Sequence, residues 1–349
     1  MRNFLLGILI AAIVLIGVGC STTINSTSIV DKLPTDTPLV MPTPTIKIDH
    51  PPDPTISLEP TASPEPPTAT PPPEAICNGP DGAMTILVVG TDSRGLSYLY
   101  GMADSIMIMR VDFIRGEVAL MGIPRGLWVE IPDVEEDNNR THGKITQAYF
   151  FGTEGMGYYS GTGFGAGLLE ETFHHNYGIE IDRYIVVNMK AFSALIDVIG
   201  GIKIYNPYPL YSYQETEPVL AIGGYVFSGY DALMYARHRG PRNSLDRIDR
   251  QAIVMKAVHE QAFSLSTIQK IPKIIGIYKD NILTDLSLAE ISQLACVAVK
   301  TDLDQVVFTR IPQDLLYIPN WVGSPWVEHE PGSVAIVLMD FVDGIYPEQ

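Results

Sequence analysis

Between Tyr235 and Gln251 the chain reads YARHRGPRNSLDRIDRQ, and five arginines (Arg237, Arg239, Arg242, Arg247 and Arg250) fall within fourteen residues. In extended chain Arg237 and Arg239 point to the same side. Arg247, Arg250 and Gln251 stand at i, i+3 and i+4 where a helical pattern running to about Ser264 begins, so they share a face. The free N–H groups and dipole of a helix start already favour an anion. Guanidinium forks grip phosphate oxygens in pairs, which suits a pyrophosphate better than lysine would. The alternative is a solvated face with local ion pairs such as Asp246 with Arg250. The choice of Arg over Lys and the helix-start placement favour the anion site.

A second group is acidic. Asp92 follows an apolar run in Gly90-Thr91-Asp92-Ser93-Arg94, and Asp104 opens the next one in Ala103-Asp104-Ser105. If both runs are strands, their carboxylates meet at one edge of a sheet. There they could hold Mg²⁺ against a pyrophosphate, since this ion takes one or two carboxylates and completes its shell with waters and phosphates. One of them could instead act as a base on an acceptor hydroxyl, or each could merely cap a turn. Arg94 and Arg125, the latter in Gly122-Ile123-Pro124-Arg125, are further candidate phosphate contacts near that edge. His174 and His175, adjacent on a predicted helix, are assigned no role. Trp321 and Trp326 flank a Gly-Ser-Pro loop and read as packing or as a sugar stack.

The elements that must position these groups begin at Met84. Strands are predicted over 84–89, 104–111, 117–123, 183–188 and 203–206. Helices are predicted over 144–151, 167–176, 189–199 (stopped by Gly200-Gly201), 229–236 with Ser228 as N-cap, 245–264, 268–278 and 288–299. Strands alternating with helices indicate a layered α/β/α domain with a mixed central sheet over residues 81–349. Its core motifs lie at 84–260 and its closing helices at 266–349. Gly161-Thr162-Gly163-Phe164-Gly165-Ala166 matches a dinucleotide fingerprint but follows no strand, so it is read as a loop.

Two segments precede that domain. Residues 1–20, MRNFLLGILIAAIVLIGVGC, place an apolar run after one basic residue. They read as a lipoprotein signal with Cys20 as the lipidated residue, or as an uncleaved transmembrane anchor. Residues 21–80 are rich in Pro, Thr and Ser and carry no apolar period, which describes a disordered tether. Both readings place the domain outside the cytoplasmic membrane. Cys77 and Cys296 then remain in an oxidising compartment, as a disulfide or as two free thiols. A net charge of −17 over 349 residues argues against nucleic acid as a partner.

Several of these stretches, in this order, resemble the LytR-CpsA-Psr family of wall glycopolymer transferases: ILVVGTDSR, ADSIMIMRVD, VALMGIPR, KITQAYFFG, GIEIDRYIVVNMKAFSALIDVIGGIKI, and FSGYDALMYARHR leading to DRIDRQ. The resemblance spans roughly residues 84 to 260. It implies an apolar channel for a polyprenyl chain and a pyrophosphate held by Arg125, Arg237, Arg239 and Arg247, with Gln251 nearby and Mg²⁺ at Asp92 and Asp104. It also implies transfer of a glycan phosphate from a polyprenyl-pyrophosphate donor to a hydroxyl of peptidoglycan. The chain departs from the family pattern at Met102, where Arg is frequent, at Gly126, where Asp is usual, and at Val129, often basic. A non-catalytic lipid-glycan scaffold is the reading these departures leave open, and pyrophosphate hydrolysis, with water as acceptor, is a third.

Overall fold

The computed structural model describes residues 75–80, 82–93, 98–132, 134, 142–211, 217–238, 245–262, 281–301, 305–317 and 326–347. Segments 1–20 and 21–80 (up to residue 74), with Cys20, lie outside the described residues, as do Arg94, Arg239, Arg242, Trp321 and the helix expected over 268–278.

Six strands form the central sheet: β1 (Ala83–Thr91), β2 (Ala103–Asp112), β3 (Glu117–Gly122), β6 (Arg183–Asn188), β9 (Ile282–Thr284) and β10 (Val306–Arg310), in the order β10-β3-β2-β1-β6-β9. The sheet is mixed: β1 and β6 are parallel, β3 and β10 are parallel, and the other neighbours run antiparallel. As a result β1, β3, β6 and β10 all end at one edge of the domain. That is the end at which open α/β sheets place their ligands.

Both faces of the sheet are covered, and β1 shows why. Leu87 and Val89 enter one apolar cluster, whereas Met84 and Ile86, with Val88 packed against them, enter another. A strand buried on two faces reads as a continuous apolar run, as this one does. The first cluster is closed by α1 (Ile145–Gly152), α2 (Gly165–Tyr177) and α7 (Pro331–Asp343), through Ala148, Phe173, Leu338 and Phe341. The second is closed by α6 (Leu288–Lys300), through Ile291, Leu294 and Val297.

A third cluster joins α3 (Met189–Ile199), the β7 (Ile202–Asn206) and β8 (Gly223–Phe227) ribbon, α4 (Gly229–Arg237) and α5 (Leu245–Ala262). Local chemistry sets its joints. Asn188 caps α3 by accepting from Ala191 N–H, Gly200 ends it in the left-handed region, and Ser228 with Asp231 forms a capping box on α4.

Helix α5 reaches the sheet because Gly122 ends β3. A Cβ there would stand 2.2 Å from Ile248 Cγ2. Cys77 and Cys296 are joined by a disulfide with Cα atoms 5.6 Å apart, closing a sequence separation of 219 residues.

Several elements go beyond the strands and helices read from the sequence, β8 and β9 among them. Helix α7 and strand β10 extend regular structure well past Val299. The short ribbon β4 (Trp128–Glu130) with β5 (His142–Lys144) fills what reads as a polar loop. Among the described residues no helix is long and apolar enough to cross a membrane.

Candidate functional site

Asp104 sits where a bulge re-aims β2. Gly90 pairs with Ser105 but Thr91 pairs with Ala103, so Asp104 is the extra residue. The consequence is that two consecutive residues reach the same helix, Asp104 to Arg247 and Ser105 Oγ to Gln251 Oε1 (3.1 Å) on α5. Asp104 is only 6% exposed. A buried carboxylate needs donors, and it has three guanidinium groups. Arg125 Nη1 donates to Oδ1, Arg237 Nε donates to Oδ2 (3.0 Å) with its Nη2 also 3.0 Å from that oxygen, and Arg247 Nη2 lies 3.4 Å from Oδ1. Gln251 Nε2 also approaches the Asp104 carbonyl at 3.5 Å. One negative and three positive groups leave a net charge of about +2 at this spot on a chain of −17.

Each arginine comes from a different element end. Arg125 follows β3, with its carbonyl accepting from Thr146 N–H at the start of α1 (3.2 Å). Arg237 closes α4, and Arg247 lies in the first turn of α5. The structure thus brings Asp104, Arg125, Arg237, Arg247 and Gln251 together.

Arg250 departs from the expectation of a phosphate contact. It is 8% exposed, and its Nε and Nη2 donate to the carbonyls of Tyr235 (3.2 Å) and His238 (2.6 Å). About 60° of helical rotation separates it from Arg247, which turns it toward the C-terminus of α4. There its charge also meets the negative end of that helix. Burial lowers its pKa from the ordinary arginine value.

Asp92 lies just beyond the last β1 pair. Its N–H donates to the Met102 carbonyl (3.1 Å), and its Oδ1 accepts from Met102 N–H (2.7 Å). Asp92 and Asp104 therefore flank the same strand end, and Asp92 Oδ2 has no hydrogen-bond partner among the described residues. Tyr98, between the two aspartates in sequence, sits at φ 52° and is buried. Its hydroxyl donates to the Asn281 carbonyl and accepts from Asn188 N–H (3.1 Å), and burial pushes its pKa up to about 12. Nothing in the sequence signals this tyrosine, because a positive φ at a non-glycine residue leaves no local mark.

The departures from the family pattern also have places. Position 102 contributes through its backbone to Asp92, and Gly126 gives its carbonyl to Val327 N–H (2.7 Å). Val129 is 2% exposed inside the main core. His174 and His175 point to separate carboxylates, Glu180 (3.0 Å) and Glu130 (3.1 Å). The glycine motif leads into α2 from a loop, not from a strand. Trp326 packs on Trp128, a residue the sequence did not single out.

Fold and site together define a mixed α/β domain with a cage of arginines around a buried carboxylate at the strand ends. The chain belongs to the LytR_cpsA_psr family, whose model matches residues 61–328. It is 28% identical over 250 residues to the polyisoprenyl-teichoic acid–peptidoglycan teichoic acid transferase TagU of Halalkalibacterium halodurans, covering 66% of this chain and 74% of that protein. It is 31% identical over 222 residues to TagU of Oceanobacillus iheyensis, covering 61% of this chain and 62% of that one. The regulatory protein MsrR of Staphylococcus aureus is 30% identical over 217 residues, covering 60% and 59%. Among solved structures, B. subtilis TagV superposes with a TM-score of 0.57 at 22% identity, covering 77% of this chain and 99% of that one. TagT bound to LIIa-WTA superposes with a TM-score of 0.54 at 19% identity, covering 76% and 91%. These two structures share the fold.

Proposed function

We propose that this protein transfers a glycan phosphate from a polyprenyl-pyrophosphate donor to a hydroxyl of peptidoglycan. The observation that carries the reading is the buried Asp104 held by Arg125, Arg237 and Arg247. Three convergent guanidinium groups around one carboxylate are a site prepared for a more highly charged oxyanion. Kinship with proteins named as teichoic acid transferases supports the choice of ligand.

The donor's phosphates take the guanidinium N–H groups that Asp104 occupies in the free protein. An acceptor hydroxyl oxygen then attacks the glycan-proximal phosphorus. The bond to the bridging oxygen breaks, polyprenyl phosphate leaves, and the hydroxyl proton is lost to water. The arginines oppose the charge that gathers on the leaving phosphate, and fixed donors are most effective when they act on charge that develops in the transition state.

Asp92 and Asp104 fit Mg²⁺ by type and position. Two carboxylates flank one strand end, Asp92 keeps an oxygen for a further partner, and Asp104 is freed when the arginines turn to phosphate. When bound, the ion would add charge stabilisation at the phosphates. Residues 1–20 anchor the chain at the membrane, by lipidation of Cys20 or as a spanning helix, and 21–80 tether the domain outside it. Arg94 and Arg239 belong to the same phosphate-binding set.

A binding experiment tests the ligand. Calorimetry with farnesyl diphosphate is expected to show tight binding by the wild type. Charge-assisted hydrogen bonds are worth about 1.5–3 kcal/mol, so Arg237→Ala and Arg247→Ala are each expected to weaken it at least about tenfold. Equal affinity in all three proteins would refute the reading.

A further inference from the structure

Trp128 and Trp326 come from distant parts of the chain, yet their ring centroids lie 5.1 Å apart with the planes inclined at 37°. The backbone enforces the contact. Trp128 N–H donates to the Val327 carbonyl (2.8 Å), and Val327 N–H donates to the Gly126 carbonyl (2.7 Å). Core packing does not account for the pair. In β4 it is Val129 that faces the core, while Trp128 and Glu130 alternate to the outer side. Both indoles are half-buried, so both keep ring surface toward solvent. Polar groups border them: Lys144 is paired with Trp128 across the ribbon, and Glu328 Oε1 accepts from Trp326 Nε1–H (3.1 Å).

Such a surface has the chemistry of a sugar site. The C–H face of a pyranose packs on an indole, whose face is electron-rich, while rim groups satisfy the hydroxyls. Its location is equally specific. Trp128 follows Arg125 by three residues, at most about 10 Å of chain, and Trp326 is fastened through Val327 to Gly126, the residue after Arg125. A ring lying on the tryptophans would sit beside the phosphate cage.

We propose that Trp128 and Trp326 form a carbohydrate platform that seats a pyranose ring of the glycan next to the phosphates. This rests on the transferase reading above. The ring comes either from the donor's glycan or from the peptidoglycan acceptor.

The test uses the full-length chain as wild type, Trp128→Ala, Trp326→Ala and Trp326→Phe. Three probes are titrated by calorimetry: sugar-free farnesyl diphosphate, a farnesyl-diphosphate-linked disaccharide, and a lipid-free peptidoglycan disaccharide fragment. Farnesyl diphosphate is expected to bind all four proteins alike. Both Ala variants should lose about tenfold in affinity for at least one sugar-bearing probe, as truncation of an aromatic anchor does, and the Phe variant should lose less. Loss with the lipid-linked disaccharide assigns the platform to the donor, and loss with the peptidoglycan fragment assigns it to the acceptor.

Unchanged affinity for both sugar probes in folded variants overturns the platform. Failure of wild type to bind farnesyl diphosphate overturns the transferase reading instead. If the Ala variants do not fold, tryptophan fluorescence decides. A sugar-induced emission shift in wild type that is diminished in Trp326→Phe supports the platform, and a shift that is absent or equal in both overturns it.

Discussion

Replacing Asp104 with Asn keeps the shape of the side chain and removes its charge, and the structure gives both consequences a sign. In the folded protein the carboxylate faces Arg125, Arg237 and Arg247, whose side chains are 24%, 38% and 8% exposed. Exposed pairs are screened and contribute little, so most of the loss comes from Arg247, which is as buried as its partner. Removing one member of a buried pair costs about 3–5 kcal/mol, and the retained amide oxygen offsets part of it. The expected loss is about 3 kcal/mol, or roughly 5–10 °C in a domain of this size. The same change raises the net charge of the cage from about +2 to about +3. Farnesyl diphosphate should therefore bind several-fold more tightly in EDTA, although the fold is weaker and turnover collapses. Stability and binding moving in opposite directions are what a site strained toward its ligand requires. Urea denaturation at 25 °C and calorimetry in EDTA give the two numbers. An Asn variant as stable as wild type that binds diphosphate more weakly would rule out a carboxylate that competes with the ligand for these arginines.

Three further outcomes follow from the packing. Gly122→Ala places a Cβ 2.2 Å from Ile248 Cγ2, so it should cost about 1–3 kcal/mol by overpacking. It should also weaken diphosphate binding, because Arg247 precedes Ile248 on the displaced turn; a melting curve and a titration check both. Burial, with the Asp285 and Glu171 charges nearby, pushes the Glu170 pKa up to about 8. The unfolded state then loses its proton first, and this group lowers stability as pH rises from about 4.5 to 8. Glu170→Gln should accordingly raise the melting point more at pH 8 than at pH 5. Breaking the Cys77–Cys296 bond opens a loop of 219 residues, worth up to about 5 kcal/mol in the chain-entropy account. Denaturant midpoints with and without dithiothreitol, and non-reduced peptide mapping, measure it.

The sheet strands that carry the site were legible because strands buried on both faces are continuous apolar runs, and β1, β2, β3 and β6 all have that texture. Arg237 and Arg247 were legible because arginines crowd a helix start in an acidic chain. Helix α7 was not: PGSVAIVLMDFVD is dense in β-branched residues, and only packing against the first core cluster makes it helical. Strand β10 gains its meaning by parallel pairing with β3, a partner nearly two hundred residues earlier in sequence. The role of Arg250 was hidden for a related reason. Spacing shows which side of a helix a residue occupies, but α4 decides what waits there, and it offers carbonyls. The bulge at Asp104 likewise depends on the register of two strands, which no single segment encodes.

Transfer of a glycan phosphate is checked by following a label from donor to product. Purified full-length protein is incubated with a radiolabelled polyprenyl-pyrophosphate-linked oligosaccharide and peptidoglycan fragments, with Mg²⁺ or with EDTA. The product is then analysed by mass spectrometry. Label is expected on the peptidoglycan through a phosphodiester, with polyprenyl phosphate released in equal amount. That product is expected to be lost in EDTA and in Asp92→Asn, while Asp92→Asn still binds farnesyl diphosphate. Tight diphosphate binding with no labelled peptidoglycan under any condition would contradict transfer and leave a lipid-glycan binding protein in its place.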